Sequence, residues 1–175
     1  VCRAIHKEGM ERLLTIFATD PLDEGTRDFY LQEFRILQEL SNLGVSPAVL
    51  DPFRWNDDFL VVPSYMPAGT SLGAIPEPES QGELIKDLGR RKAVFRSLEL
   101  VHGRGIIHRA IGPDKIYLEE TEDNLRAVFT GFYAARRPNL EGFSIGGRLN
   151  EVGIDDPLAA PELELGYEWA DPTSV

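Results

Sequence analysis

The order of the short apolar runs along this chain constrains its fold more than any other feature of the sequence. The run from Arg12 to Ala18 lies between two turn sequences and predicts a strand, which pairs with Val1 to His6 as a hairpin. From Thr26 to Leu43 apolar residues recur every three or four positions, which predicts an amphipathic helix that ends near Gly44. The chain therefore opens with two strands followed by a helix.

The middle of the chain repeats this order. Val49 to Trp55 and Phe59 to Met66 flank a short polar turn and predict a second hairpin. Pro76 to Gln81 is rich in proline and acidic residues and predicts an exposed loop. A second helix is predicted from Glu83 to His102, ended by the glycines that follow it. The apolar residues expected on one face of this helix are Leu88, Val94, Phe95, Leu98 and Val101.

Two short strands complete the pattern, around Ile116 to Leu118 and Ala127 to Phe129, with a turn-prone segment between them. Strands, helix, strands, helix and strands in that order predict an α+β protein rather than alternating β-α units. A chain of 175 residues is long enough for one domain or one two-lobed unit with a buried core.

Composition excludes several classes of function. The chain has 29 acidic and 18 basic residues, a formal net charge of −11, so it lacks the clustered bases of a nucleic-acid-binding protein. No apolar run is long enough to span a bilayer, and no partner membrane is expected. The single cysteine, Cys2, excludes a disulfide framework and a multi-cysteine metal site. We expect a cytoplasmic module.

The segment between the second predicted helix and the next strand contains the sequence motif that is most informative about function. It reads Leu100-Val-His-Gly-Arg-Gly-Ile-Ile-His108-Arg109-Ala110, followed by Ile111-Gly-Pro-Asp-Lys115. This segment resembles the catalytic-loop region of protein kinases, in which His-Arg-Asp precedes a turn and a strand. Four other stretches match kinase motifs in the same order: Arg12 to Phe17, Gln32 to Leu37, Phe129 to Arg136 and Ala160 to Glu162.

The resemblance implies a protein-kinase-like fold of α+β class, a degenerate member of the serine/threonine kinase-like superfamily. Such a fold has two lobes, the first with a five-stranded antiparallel sheet and helix C, the second helical. Residues 1–66 would form the first lobe without its first strand and glycine-rich loop, and residues 67–175 the upper part of the second lobe. The missing parts would precede Val1 and follow Val175.

Phosphoryl transfer by kinases depends on positioning and charge neutralisation, and the resemblance implies that this chain has lost the residues responsible. The phosphate-binding lysine is replaced by Thr15, the catalytic aspartate by Ala110 and the loop lysine by Gly112. Lys115 and Gly131 replace the two metal ligands. Because a general base alone contributes about 10²- to 10⁴-fold, we expect no catalytic residue, no metal and no cofactor.

The kinase residues that this chain keeps have structural roles in the family. They are Glu33, Leu37, His108, Arg109, Phe132, Ala160, Pro161 and Glu162. Leu37, His108 and Phe132 match side chains that stack between the lobes of a kinase, and His108 is expected to be a hydrogen-bonded core histidine. Glu33 is either an exposed helix acid or a partner of another base.

The arginine that matches Arg109 in kinases binds the activation segment. Here it would bind Glu151, Asp155 or Asp156, unless these acids form a solvated loop. Between Ala134 and Glu162 the only hydroxyl side chain is that of Ser144, so we expect no phosphorylation switch. The apolar residues near it that we consider for a partner contact are Phe143, Ile145 and Ile154.

The resemblance also locates the slot that holds adenine in kinases. Leu13 and Tyr117 occupy its two sides, and both are bulkier than the family residues, so we expect the slot to be filled. In the alternative, the register of Arg12 to Phe17 is shifted by one and Leu14 lies in the slot.

These residues predict a pseudokinase that acts as a binding or allosteric scaffold, with a protein partner or flanking domains of the same chain. One alternative is a divergent serine/threonine kinase that uses ATP and magnesium, with Lys7 replacing the missing lysine. Another is a sensor that binds nucleotide without hydrolysing it. Measurements of phosphoryl transfer and of nucleotide binding distinguish the scaffold, the divergent kinase and the sensor.

Overall fold

The computed structural model describes residues 2–5, 9–18, 34–56, 59–121, 124–132, 135 and 137. Contacts within the chain divide it into two units, Val1–Ala68 and Gly69–Val175. The described elements are antiparallel sheets and two helices, which confirms the predicted α+β class.

The first unit contains a four-stranded antiparallel sheet with the order β1-β2-β4-β3. Its strands are β1 (Cys2–Ile5), β2 (Glu11–Ala18), β3 (Phe53–Trp55) and β4 (Phe59–Tyr65). Both predicted hairpins are confirmed, since β1 pairs with β2 and β3 with β4.

Strand β3 is shorter than predicted. Before it, Val49 and Ser64 form an isolated bridge, in which the Leu50 N–H donates to the Pro63 carbonyl at 2.8 Å and the Tyr65 N–H to the Ala48 carbonyl at 2.9 Å. Pro52 has no N–H to donate and therefore interrupts the ladder.

Helix α1 is described over residues 34–41, and its predicted first turns lie outside the described residues. Leu37 and Leu40, which the apolar spacing predicts on one face, are buried, and Ile36 is buried as well. The helix ends before Gly44, whose φ of 70° is the left-handed conformation that glycine adopts at helix ends. The Ser46 hydroxyl then donates to the Leu37 carbonyl at 3.0 Å.

The second unit begins with strand β5 (Thr70–Ser71) and contains helix α2 (Gln81–His102). Helix α2 starts two residues earlier than predicted because Ser80 caps it: its hydroxyl accepts from the Glu83 N–H at 3.2 Å. The Glu83 carboxylate in turn accepts from the Glu79 N–H at 2.8 Å.

The predicted apolar face of α2 is wrong in part. Ala93, Ser97 and Val101, four residues apart, are the buried positions of the helix. Leu88 and Phe95 are exposed, because at 3.6 residues per turn they lie on the opposite side.

A three-stranded sheet of order β5-β6-β7 completes the second unit. Strands β6 (Ile116–Glu120) and β7 (Leu125–Phe129) are the two predicted strands, each longer than expected, and the structure pairs them as an antiparallel hairpin. Gly69 lies so close to the Leu118 carbonyl that a Cβ there would clash with it. Strand β5 therefore approaches β6 only because residue 69 is glycine.

Candidate functional site

The segment between α2 and β6 folds around a buried histidine. His108 is 0% exposed, and Ile106 and Ile107 before it are also buried. Its ring packs on Phe132, with ring centroids 4.4 Å apart, and lies 6.2 Å from the Phe129 ring. The structure thus brings together His108 and Phe132, two of the retained residues.

Both ring nitrogens of His108 have partners. Nε2 lies 3.0 Å from the Thr130 carbonyl oxygen, and Nδ1 lies 3.3 Å from the Ala110 amide nitrogen. Since a carbonyl accepts and an amide N–H donates, these partners require the proton on Nε2 and a lone pair on Nδ1. The ring is therefore neutral.

Burial accounts for this protonation state. Burial is the main reason that the pKa of His108 is lowered to about 4; the hydrogen bond to Thr130 acts in the opposite direction, and the positive charge of Lys115 contributes to the lowering. At neutral pH the ring is uncharged, and its two hydrogen bonds hold the turn together.

Arg109 makes the sharp turn that His108 needs. Its φ of 66° is unusual for a residue with a side chain. This conformation reverses the backbone so that the Ala110 N–H points back at His108. Ala110 itself is 0% exposed, and Arg109 is 2% exposed.

Two more replaced positions, Lys115 just before β6 and Gly131 just after β7, lie close together. The Lys115 carbonyl accepts from the Thr130 N–H at 2.9 Å and from the Thr130 hydroxyl at 3.2 Å. Gly131 follows directly, with a φ of 80°. A cation and a glycine thus occupy adjacent places where the resemblance implies two metal ligands. Gly112, which stands in place of the loop lysine, is buried.

Tyr117 lies in β6, paired with Ser71 of β5 and Val128 of β7. It is half-buried, whereas its neighbours Ile116 and Leu118 are buried on the other face of the strand.

The first unit contains the remaining described positions. In β2, Thr15 is paired with Val62 and Leu13 with Ser64, so both share one face of the sheet. Leu14 is on the opposite face. Leu37 is buried in α1.

The other predicted site residues lie outside the described residues. They are Lys7, Glu33, Ser144, Glu151, Asp155, Asp156, Ala160, Pro161 and Glu162, with the apolar residues Phe143, Ile145 and Ile154.

Sequence reasoning missed two side chains that organise the second unit. The buried Ser97 hydroxyl accepts from the Ala127 N–H at 3.2 Å, which attaches α2 to β7. Thr130 connects His108 to Lys115. A serine at a buried helix position and a threonine beside a glycine are too common to predict these contacts.

The described residues contain neither a metal site nor a membrane-spanning helix. No three His, Cys, Asp or Glu side chains of this part of the chain come together as a metal site. No helix there combines the length and the apolar character that crossing a membrane requires.

Comparison with known proteins relates part of the chain to a kinase. No family model matches the chain. Over 105 residues, 58% of this chain, it is 31% identical to the DNA damage-responsive serine/threonine-protein kinase RqkA of Deinococcus radiodurans. The matched stretch is 15% of the length of RqkA.

Proposed function

We propose that this chain is part of a two-lobed kinase-like domain that does not transfer phosphate and serves as a binding or allosteric scaffold. The partial similarity to a serine/threonine kinase supports the kinase-like relationship. The strand order β1-β2-β4-β3, with α1 between β2 and β3, is compatible with the first lobe of such a domain.

The observation that carries the proposal is that the buried residue after Arg109 is Ala110, whose side chain is a methyl group. The His108 turn is folded, with both ring nitrogens bonded, yet Ala110 has a methyl group and is 0% exposed. In the kinase reaction the residue at this place accepts the proton of the substrate hydroxyl. A buried methyl group accepts no proton, so the turn keeps its architecture without its chemistry.

The charge at the neighbouring positions supports the same proposal. Phosphoryl transfer requires carboxylate or amide oxygens that hold magnesium against the phosphates. Lys115 offers a positive charge instead, and Gly131 has no side chain at all. A cation at a metal-ligand position repels the ion that the reaction needs.

Radiolabelled phosphate transfer from ATP tests this proposal in the full-length protein, with an active serine/threonine kinase as the positive control. We expect no label above background on the protein itself or on generic serine and threonine substrates. Transfer that disappears in a Lys7→Ala variant would refute the proposal and establish a kinase with a displaced lysine.

A thermal-shift titration with ATP, with and without magnesium, addresses the nucleotide-sensor alternative. The kinase resemblance implies that Leu13 and Tyr117 replace smaller residues of the adenine slot, and overpacking costs about 1–3 kcal/mol per site. We therefore expect no saturable rise in melting temperature for the wild type. A saturable rise would instead favour the sensor, whereas a Leu13→Ala, Tyr117→Leu variant that gains binding would support the filled slot.

A further inference from the structure

Met10 lies in the segment that joins β1 to β2, and its thioether is hydrogen-bonded to a charged side chain. The residue directly precedes β2 and is 42% exposed. Its Sδ accepts from the Nη2 of Arg12 at 3.5 Å. A thioether sulfur is only a weak acceptor. A better acceptor at the same place would therefore form a stronger hydrogen bond with this guanidinium.

Two further contacts hold the Arg12 guanidinium in place. Its Cζ lies 4.1 Å from the centroid of the Tyr65 ring, and Tyr65 is the cross-strand partner of Arg12 in β4. Its Nη1 donates to the Glu11 carbonyl at 2.9 Å. Because neither contact involves the sulfur, both keep Nη2 directed at Met10 when the chemistry of the sulfur changes.

The group formed by Met10, Arg12 and Tyr65 is separate from the predicted nucleotide slot. Leu13 and Thr15 lie on the opposite face of β2 from Arg12. Glu11 is on that opposite face too, and its carboxylate pairs with Arg3. The chemistry of the sulfur is therefore independent of the residues on which the scaffold proposal depends.

We propose that Met10 is a site of oxidation by hydroperoxides and that Arg12 binds the oxygen of the resulting sulfoxide. The sulfur attacks the terminal oxygen of the hydroperoxide, and the O–O bond breaks as the S–O bond forms. The displaced oxygen takes the proton of the transferred one and leaves as an alcohol or as water. The sulfur is thus oxidised by two electrons, and the peroxide is reduced. Since the sulfoxide oxygen is a strong acceptor, oxidation fastens the start of β2 to Tyr65 of β4 through Arg12.

Peptide-mapping mass spectrometry of the full-length protein, after limited treatment with hydrogen peroxide, tests the site. Met66 is the other methionine of this sequence, is half-buried and serves as the reference within the same unit. We expect sulfoxide at Met10 before Met66, because the more exposed sulfur reacts first. Equal or faster oxidation of Met66 would overturn the assignment of the site to Met10.

Melting temperatures of the reduced and the oxidised protein test the role of Arg12. Oxidised wild type should melt about 2–4 °C above the reduced form, the shift expected from one charge-assisted hydrogen bond in a domain of this size. Met10→Leu should show no such rise, and it measures the effect of every other oxidised residue. Arg12→Leu should show no rise either, whereas Arg12→Lys keeps a charged donor and should retain part of it. Each variant is compared with its own reduced form, so the lost contact with Tyr65 cancels.

Several results would overturn the proposal. An equal rise in wild type and Met10→Leu would assign the effect to another residue. An equal rise in wild type and Arg12→Leu would show that Arg12 does not bind the sulfoxide, and a lower melting temperature of oxidised wild type would contradict the fastening. Methionine sulfoxide reductase with a thiol reductant should return the melting temperature to its reduced value, and a persistent shift would mean that the product is not a sulfoxide. These measurements involve neither ATP nor phosphate transfer, so their failure leaves the scaffold proposal unaffected.

Discussion

The turn around His108 and the apolar stripe of α2 formed by Leu84, Ile85, Leu88 and Phe95 belong to the same unit, but one buries a polar side chain and the other exposes apolar ones. In the turn a polar ring is wholly buried and both of its nitrogens are bonded. In the stripe four large apolar side chains lie in solvent. Burying a polar group is tolerated only when it is paired, so the turn is built for stability. The described residues of the unit leave these apolar side chains exposed, so packing among those residues does not account for them.

Replacing one phenylalanine by alanine in each region tests this difference and has the largest expected effect. Phe132→Ala removes a buried ring that packs on His108 and should lower the free energy of unfolding by about 3–5 kcal/mol. Phe95→Ala, on the stripe, should change it by no more than about 0.5 kcal/mol. Chemical denaturation of both variants measures these values, and equal losses would contradict the assignment of Phe95 to an exposed surface.

Acid should destabilise the protein through His108. Its pKa is about 4 when folded and about 6.5 when unfolded, so between these values only the unfolded chain binds the proton. Stability is therefore fully present above about pH 6.5, falls as the pH decreases towards 4, and loses about 3 kcal/mol from this group. Burial also lowers the pKa of His102, which acts in the same direction.

Denaturant midpoints of the wild type and His108→Gln, measured between about pH 7 and pH 4, isolate this effect. The carboxylates titrate in both proteins, so the difference between the two curves belongs to His108. Parallel curves would mean that His108 titrates normally in the folded protein.

Ser97→Ala tests the attachment of α2 to β7. It leaves the Ala127 N–H without its partner in a buried place, which should cost about 1–3 kcal/mol. Ser80→Ala removes the helix cap at the exposed end of the same helix and should cost about 1 kcal/mol. A larger loss in Ser80→Ala than in Ser97→Ala, measured by thermal melting, would be inconsistent with a buried Ser97 contact.

Gly89→Ala should have the smallest effect and the opposite sign. The position is helical and its Cβ meets no atom within 4 Å, so alanine should stabilise the protein by about 0.5–1 kcal/mol. A rise in melting temperature would confirm that glycine serves no packing purpose inside the unit. A fall would show that another part of the full-length protein contacts this position.

The sequence determined the elements of this protein and their order. The two hairpins of the first unit, the end of α1 before Gly44 and the existence of β6 and β7 were predicted, because turn residues and hydrophobic spacing act between near neighbours. The sequence also marked the segment around His108, whose residues are contiguous in the chain.

Only the tertiary structure decided which side of α2 is buried. Periodicity placed Leu88 and Phe95 on the packed face of α2, but small residues at Ala93 and Ser97 bring the opposite side against β7. The partners of His108 and Ala127 lie 22 and 30 residues away in the chain. Such contacts depend on how whole elements pack, which no local pattern of residues specifies.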